Sequence, residues 1–282
     1  MKHVIVVPVY NDWKSLNKLL LKLDKYLGRG RGIKNEILVI NDNSSKKIKI
    51  KKRKFKSIKK IKTIFLKKNL GSQKAIAVGL SYLKPIKENF FVTVMDSDGE
   101  DDPLQVRKML NVAIKNPNHV ITSNRKQREE PLIIIALYKL HLLLTFLFTW
   151  KWISFGNFST FNKKNLNKIL SNNSSWYAHS SAILKNCSII RLYSKRQKRY
   201  FDKSNLGMLS LIEHSLRVNA VFYEKIFLSS LIYLLIMQIF LDDNLKLLFT
   251  YGVIMFNLLI IFIKFKHLIS SISDITKYIK KN

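Results

Sequence analysis

The chain has 282 residues, enough for one sizeable domain with appendages, and carries 50 Lys and Arg against 18 Asp and Glu. The net charge of +32 indicates an anionic partner such as nucleic acid, an anionic lipid surface or a phosphorylated substrate, although a compositional bias toward solvated lysines gives the same number. The single cysteine, Cys187, excludes an internal disulfide and a cysteine-based zinc cluster.

Strand and helix patterns alternate through the first half of the chain. Apolar runs predict strands at 3–7, 36–40, 63–66, 90–95 and 119–122. Helices are predicted at 13–27, 46–62 and 104–116, with a further one that begins near residue 69. This alternation predicts an α/β fold with a Rossmann-like, mostly parallel sheet. In such sheets the ligand lies beyond the carboxyl ends of the strands.

An acidic cluster follows the apolar run at 90–95. The residues at 96–98 are Asp-Ser-Asp, and Glu100 comes shortly after. Where a strand turns into a loop, two carboxylates one residue apart can reach a single ion, and such hard oxygen ligands suit Mg²⁺ or Mn²⁺ bound to a diphosphate. Tyr10 and Asp42 also follow predicted strands, so we expect these motifs to meet in one crevice.

The second half contains three apolar runs. The run at 132–150 includes Lys139 and His141, which are costly in hydrocarbon, so it predicts one or two helices in the membrane interface, with a third span as the alternative. The runs at 226–241 and 245–265 predict a two-helix transmembrane hairpin, with a pair of buried core helices as the alternative. Basic residues flank both outer ends of the hairpin, which predicts that both ends face the cytoplasm.

Five ordered segments carry a resemblance to a known family. The segments are VIVVPVYND at 4–12, LVINDNSS at 38–45, NLGSQKAIAVG at 69–79, VMDSDGEDDP at 94–103 and ITSNR at 121–125. Together they resemble the family 2 glycosyltransferases of GT-A fold, and within them the subgroup of dolichyl-phosphate mannose synthase and bacterial polyprenyl-phosphate glycosyltransferases. The resemblance implies a nucleotide-sugar donor, a polyprenyl phosphate or other lipid acceptor, a membrane and a Mg²⁺ or Mn²⁺ cofactor.

The resemblance also implies roles for individual residues of these segments. The base and ribose would be lined by Pro8, Tyr10, Asp12 and Asp42, and the ribose and diphosphate would be contacted by Asp96 and Ser97. The metal would be bound by Asp98 and Glu100. Arg125 would face the phosphates or the acceptor and act with Asp98 in catalysis. Three positions depart from the family pattern, because Asn41 replaces an aspartate, Glu100 replaces a glutamine, and Asn205 stands where a basic residue is common. These departures leave the choice of nucleotide, the acceptor and the level of activity open.

The acids that follow the cluster bear on the nature of the acceptor. A hydroxyl acceptor needs a general base, usually a carboxylate, whereas a phosphate acceptor is already ionised near neutral pH. Between residues 131 and 223 the only acids are Asp202 and Glu213, and basic residues crowd the same region. The expected ligands of an acceptor phosphate are Arg196, Arg199 and Ser204.

We therefore expect a membrane-anchored inverting glycosyltransferase that moves a sugar from a nucleotide-diphosphate sugar to a polyprenyl phosphate. A same-fold transferase that acts on a saccharide or lipid hydroxyl in cell-envelope polysaccharide synthesis is the first alternative, with Asp102 or Asp202 as its base. A non-catalytic basic membrane protein is the second. Nucleic acid is not an expected partner, because no nucleic-acid-binding motif accompanies the basic run at 46–62.

These expectations divide the chain into four regions. They are a nucleotide-sugar-binding core at 1–130, interface helices with a basic acceptor-side region at 131–218, the hairpin at 219–266 and a basic cytoplasmic tail at 267–282. The first residues lack a signal-peptide pattern. The predicted location is a bacterial-type inner membrane with the catalytic domain facing the cytoplasm, and the oligomeric state is open.

Overall fold

The computed structural model describes residues 1–28, 32–46, 50, 54–125, 132–195, 197–201, 207–268 and 275–280. The strands are β1 (Lys2–Val9), β2 (Lys34–Asn41), β3 (Ile58–Phe65), β4 (Phe90–Val94), β5 (His119–Arg125), β6 (Phe155–Asn162) and β7 (Ser188–Ser194). The helices are α1 (Trp13–Leu27), α2 (Ser72–Leu83), α3 (Pro103–Lys115), α4 (Leu132–Thr149), α5 (Lys163–Ile169), α6 (Ser174–Tyr177), α7 (His179–Asn186), α8 (Met208–Ala220), α9 (Tyr223–Phe240) and α10 (Asp243–Leu268).

The seven strands form one sheet in the order β3-β2-β1-β4-β6-β5-β7. Within the described part of the chain, all strand pairs are parallel except those that β6 makes with β4 and β5. This mostly parallel α/β sheet confirms the predicted fold class. Strand β1 is buried along nearly its whole length, as expected for a central strand covered on both faces. Because β2, β1 and β4 are parallel neighbours, their carboxyl ends lie together at one edge of the sheet.

The basic run at 46–62 does not form the helix that its pattern predicted. Its residues 58–62 belong to β3, which pairs in parallel with β2. Lys59, Lys60 and Lys62 are exposed on this strand, while Ile58 is buried. The prediction was wrong because β3 lies at the end of the strand order, where lysines protect an open edge and imitate the polar face of a helix. Residues 47–49 and 51–53 lie outside the described residues.

Two strands occur where the sequence predicted only helices and a basic region. Strand β6 runs antiparallel between β4 and β5, and β7 forms the other end of the sheet. The buried side chains of β6 include Ser159 and Thr160. The region after residue 150 therefore completes the same sheet that the first half begins.

The chain divides into two compact units. Unit 1 comprises Met1–Arg128, Phe155–Ser204 and Ile272–Asn282, and it contains the whole sheet. Unit 2 comprises Glu129–Ser154 and Asn205–Ser271, and it contains α4, α8, α9 and α10. These units group residues by contact, so the four functional regions predicted from the sequence stay a prediction.

Unit 2 contains the two helices that match the predicted hairpin. Helices α9 and α10 are long and apolar enough to cross a membrane, and in each the most apolar window is only 17% buried. Asn257 of α10 donates its side-chain Nδ2 to Ser230 Oγ of α9 over 2.8 Å, which joins the two helices. Ile239 is 78% exposed and Leu248 is 69% exposed. Since a buried core pair would hide such side chains, their exposure favours contact with lipid.

The last described residues extend the sheet of unit 1. Leu66, just after β3, forms an antiparallel bridge with Ile279. Lys67 N donates to Tyr278 O over 2.9 Å, and Lys280 N donates to Phe65 O over 2.8 Å. The segment 275–280, which follows α10, therefore pairs with the end of the edge strand β3.

Candidate active site

The loops that follow β1, β2 and β4 form the candidate site. Tyr10 directly follows β1 and is 51% exposed, whereas Pro8 is buried inside the strand. Asp12 caps α1, because its side chain accepts a hydrogen bond of 3.2 Å from Ser15 N. Of the three residues expected to line the base and ribose in this loop, Tyr10 thus offers an accessible ring.

Polar side chains join the loop after β1 to the loop after β2. Asn41 Oδ1 accepts from Ser44 N over 2.9 Å, and Ser44 Oγ accepts from Asn11 N over 2.9 Å. Asn11 and Asn43 have positive φ angles of 56° and 57°, a conformation that asparagine tolerates well. An aspartate at position 41 would accept the same bond with an added charge, so Asn41 keeps the shape of this turn and leaves it less negative.

Asp42 is held by backbone donors at the end of β2. Its Oδ1 accepts from Leu70 N over 2.7 Å and its Oδ2 accepts from Gly71 N over 2.8 Å. The side chain is buried, and burial raises the pKa of Asp42 while the two backbone hydrogen bonds oppose that rise. Asp42 therefore fixes the loop that leads into α2, and its contact with the base or ribose stays a prediction.

The acidic cluster after β4 is folded back on its own backbone. Asp98 Oδ1 accepts from Glu100 N over 3.0 Å, and Asp101 Oδ2 accepts from Asp96 N over 3.0 Å. Gly99 lies between them with a φ of 91°, a region that favours glycine. Ser97 is buried. These bonds turn the chain so that Asp98 and Glu100 face the same partner.

That partner is Arg199, which belongs to a segment at 197–201 that we call the strap. Arg199 Nη2 contacts Asp98 Oδ2 at 2.6 Å, and Arg199 Nε contacts Glu100 Oε1 at 3.3 Å. The strap backbone adds two hydrogen bonds, from Gln197 N to Glu100 O over 3.0 Å and from Tyr200 N to Asp98 O over 2.9 Å. One guanidinium therefore pairs with both predicted metal ligands, and its single positive charge offsets one of their two negative charges.

The ring of Tyr200 lies against the backbone of Gly99. A Cβ atom added at Gly99 would approach this ring to 2.6 Å, closer than real contacts allow. The ammonium groups of Lys18 and Lys22 lie 4.9 Å and 4.6 Å from the ring centroid of Tyr200. Gly99 is thus required both for its φ angle and for the close approach of the strap.

The oxygen atoms of Asp98 and Glu100 fit a hard divalent cation. Both carboxylates contact the guanidinium of Arg199, Asp98 through Nη2 and Glu100 through Nε, so the two acids lie near each other. Among the residues that the structure describes, no group of three or more His, Cys, Asp and Glu side chains could hold a metal ion. One or two carboxylates are enough for Mg²⁺ when phosphate and water supply the other ligands. Arg199 and such a cation would compete for the same oxygens.

Asp96 has a different partner, which the sequence did not reveal. Asn157 of β6 donates its Nδ2 to Asp96 Oδ1 over 3.1 Å and lies 3.4 Å from Oδ2. Asn157 stands next to the Phe155-Gly156 pair in a stretch without a recognisable metal or phosphate motif. No local signal could have found it, because the contact joins residues that are far apart in the chain.

The remaining predicted site residues lie at the limits of the described structure. Arg125 is the last residue of β5, and its side chain lies outside the described part. Arg196 and Ser204 also lie outside the described residues. The roles predicted for these three residues, and for Arg199 at an acceptor phosphate, stay predictions.

The chain is similar to known proteins in sequence and in fold. The family model described as glycosyl transferase family 2 matches residues 4–184. A dolichol-phosphate mannosyltransferase of Pyrococcus furiosus is 30% identical over 125 residues, which is 44% of this chain and 33% of that protein. The matched segment thus spans about a third of this relative.

Solved structures with a similar fold have low sequence identity. Glucosyl-3-phosphoglycerate synthase from Mycobacterium tuberculosis in complex with Mn²⁺, UDP and phosphoglyceric acid aligns with a TM-score of 0.51 at 12% identity, over 80% of this chain and 78% of that one. The same enzyme with Mg²⁺ and UDP aligns with a TM-score of 0.50 at 12% identity, over 79% of each chain. These similarities show the fold alone.

Proposed function

Since this chain belongs to glycosyl transferase family 2, we propose that it is a membrane-anchored inverting glycosyltransferase that moves a sugar from a nucleoside diphosphate sugar to a polyprenyl phosphate. The family resemblance drawn from the five sequence segments is confirmed by the match over residues 4–184. The identities of the donor and the acceptor are part of this proposal.

The observation that carries the proposal is the convergence of Asp98 and Glu100 on a single cationic group at the carboxyl edge of the sheet. In sugar transfer from a nucleotide, negative charge grows on the departing diphosphate. Asp98 and Glu100 would hold Mg²⁺ or Mn²⁺, which when bound supplies positive charge to that leaving group. Asp96 and Ser97 would orient the ribose and diphosphate beside them, and the exposed Tyr10 would face the base.

The acceptor proposal rests on the scarcity of free carboxylates and on Arg199. Asp102, a candidate base for a hydroxyl acceptor, caps α3 and accepts from Leu104 N over 3.0 Å. A phosphate acceptor needs no base. If Arg199 leaves Asp98 and Glu100, its guanidinium is available for bidentate contact with a phosphate. The other candidate base, Asp202, lies outside the described residues.

Chain connectivity supports the proposed membrane arrangement. The segment Glu129–Ser154, which contains α4, is preceded and followed by residues of unit 1, so a single crossing by α4 would put parts of one compact unit on opposite sides of a bilayer. This favours α4 as an interface helix and leaves α9 and α10 as the pair that spans. The basic flanks of that pair support a cytoplasmic face for unit 1 in a bacterial-type inner membrane.

The proposal is tested with membranes that contain the full chain, a screen of UDP- and GDP-sugars, and short polyprenyl phosphates with Mn²⁺ or Mg²⁺. We expect a lipid-extractable sugar phosphate that forms only with a divalent cation. A product on a saccharide or lipid hydroxyl would instead support the alternative transferase. If no nucleotide-sugar is consumed and neither UDP nor GDP with Mn²⁺ shifts the thermal unfolding, the protein is not an enzyme of this class.

A further inference from the structure

We propose that Gln73 and Asn157 are positioning residues that hold Asp96 through a directed chain of side-chain amides. The chain starts at the backbone N–H of His179, at the first turn of α7, and ends on the carboxylate of Asp96. The proposal rests on the proposed function, because it assumes that Asp96 contacts the nucleotide. It adds two residues to the site that none of the sequence motifs assigned.

The direction of the chain is set at its first bond. His179 N donates to Gln73 Oε1 over 2.8 Å. A backbone N–H can only donate, so the oxygen of the Gln73 amide must face it. Gln73 and His179 are both buried, which removes water as an alternative partner and leaves Gln73 a single orientation.

The orientation of the Gln73 amide in turn fixes the orientation of the Asn157 amide. With its oxygen turned toward α7, Gln73 presents Nε2 to Asn157 and donates to its Oδ1 over 2.9 Å. Asn157 must therefore direct its own Nδ2 away from Gln73 and toward Asp96, at 3.1 Å from Oδ1 and 3.4 Å from Oδ2. Each amide is fixed by the one before it, and an acceptor is required at the end.

The last bond has a consequence for the acidic cluster. The Nδ2 group of Asn157 donates to the carboxylate of Asp96 and holds that side chain in one rotamer. Asp98 and Glu100 share the guanidinium of Arg199 instead. Neighbouring acids thus have separate partners, and the amide pair keeps Asp96 in place when Arg199 moves.

The chain is tested by reversing its polarity at Gln73. Gln73→Glu keeps an oxygen for His179 N but loses the donor to Asn157, so Asn157 turns its Nδ2 to position 73 and its Oδ1 to Asp96. We expect the affinity of the full-length protein for UDP with Mn²⁺, or for GDP with Mn²⁺ if that nucleotide binds better, to fall about tenfold. Asn157→Ala should cause a similar loss.

A double variant separates positioning from a general loss of stability. If Gln73 acts through Asn157, adding Gln73→Glu to Asn157→Ala should lower the affinity by less than about twofold more. Two effects that simply multiply would overturn the proposal. Should Gln73→Glu unfold at much lower temperature than the wild type, Gln73→Met, which removes both hydrogen bonds without adding charge, takes its place in the same cycle.

A matched control occurs elsewhere in unit 1. Asn172 accepts from Ser174 N over 3.0 Å and donates to Asn186 Oδ1 over 3.0 Å, so it copies the bonding of Gln73 at an exposed position. Asn172→Asp should leave the nucleotide affinity within about twofold. A loss in this control equal to that in Gln73→Glu would also overturn the proposal.

The same measurements distinguish failure of this inference from failure of the proposed function. A wild-type protein that binds neither UDP nor GDP with Mn²⁺ contradicts both. A wild-type protein that binds a nucleotide, with unchanged affinity in Gln73→Glu and Asn157→Ala, contradicts only the positioning chain. Binding that falls in both single variants and falls no further in the double variant supports it.

Discussion

The carboxylates that follow β2 and β4 lie at the same edge of the sheet but have different kinds of partner. Asp42 is held by two backbone N–H groups, which cannot leave without breaking the loop. Asp98 and Glu100 are held by the side chain of Arg199, which is long and partly exposed. Asp42 therefore belongs to the scaffold, and under the proposed function Asp98 and Glu100 would exchange Arg199 for a divalent cation.

The proposed metal-binding role of Asp98 is tested by the substitution Asp98→Asn, which has the largest expected effect. We expect sugar transfer to fall on the order of 100-fold or more, because the variant loses a metal ligand that stabilises the leaving diphosphate. The measurement is the initial rate with saturating donor, with thermal unfolding as the control for folding. Full activity in this variant would remove Asp98 from the mechanism.

The structural role of Asp42 is tested by the substitution Asp42→Asn. The amide can accept one backbone N–H but turns its own NH₂ toward the other, so we expect about 2 kcal/mol less stability. Urea unfolding of the full-length protein in detergent measures this loss. Mn²⁺ affinity should stay within about twofold of the wild type. A large change in this affinity would contradict a purely structural role for Asp42.

Fixed polar groups should also respond to pH, and His3 in β1 provides the case. Its Nδ1 lies 3.0 Å from Asn35 Oδ1 and its Nε2 lies 2.8 Å from Thr93 Oγ1. Burial lowers the pKa of His3 from 6.5 to about 4, against a smaller opposing effect of the Asn35 hydrogen bond. Below pH 6.5, His3 is therefore protonated in the unfolded chain but stays neutral in the folded one. The free energy of unfolding falls as the pH drops toward 4.

Between pH 7 and pH 5 this histidine alone should cost about 2 kcal/mol of unfolding free energy. The check is urea unfolding at both pH values for the wild type and for His3→Gln. The wild type should lose about 2 kcal/mol more than the variant. Equal losses would mean that His3 does not resist protonation in the folded protein.

The smallest expected effect concerns Arg199 itself. Arg199→Ala removes the cation that competes for Asp98 and Glu100, so Mn²⁺ should bind about fivefold more tightly, in line with roughly 1 kcal/mol for a partly exposed ion pair. Free Mn²⁺ measured by electron paramagnetic resonance gives this affinity without any enzyme assay. Lys198→Ala, which removes an exposed charge from the same strap, should change it by less than about twofold. If Arg199→Ala bound Mn²⁺ with unchanged or lower affinity, Arg199 would not compete with the metal for Asp98 and Glu100.

The sequence predicted the centre of the fold better than its edges. Strands β1, β2, β4 and β5 have apolar runs that stand out because central parallel strands are buried on both faces. Strand β3 was recognised only in part, since its exposed lysines suit an edge position. Strand β6 was missed because the polar residues Ser159 and Thr160 are buried between Phe158 and Phe161, so the strand has no continuous apolar run.

Those two residues of β6 are satisfied by partners that no local pattern contains. Ser159 Oγ lies 2.9 Å from His179 Nε2, and Thr160 Oγ1 lies 2.8 Å from Thr93 Oγ1. A sequence shows the polarity of such side chains but not the partner that makes their burial acceptable. Only the fold brings the partners together.

The candidate site follows the same rule. The acidic cluster was predictable because its ligands are close together in the chain and follow a strand. The contact of Arg199 with Asp98 and the amide chain through Gln73 and Asn157 were not, since each joins distant segments. Local motifs identified the acids, and long-range packing decides which cation or amide each acid meets.

The pairing of residues 278–280 beside β3 has a consequence for biosynthesis. These residues leave the ribosome after both α9 and α10 have been made, so the carboxyl end of β3, at residues 65–67, stays unpaired until then. An open edge strand can pair with other chains. Truncation after α10 should therefore leave the carboxyl end of β3 open to pairing with a second copy of the chain, with the lysines of that strand as its remaining protection.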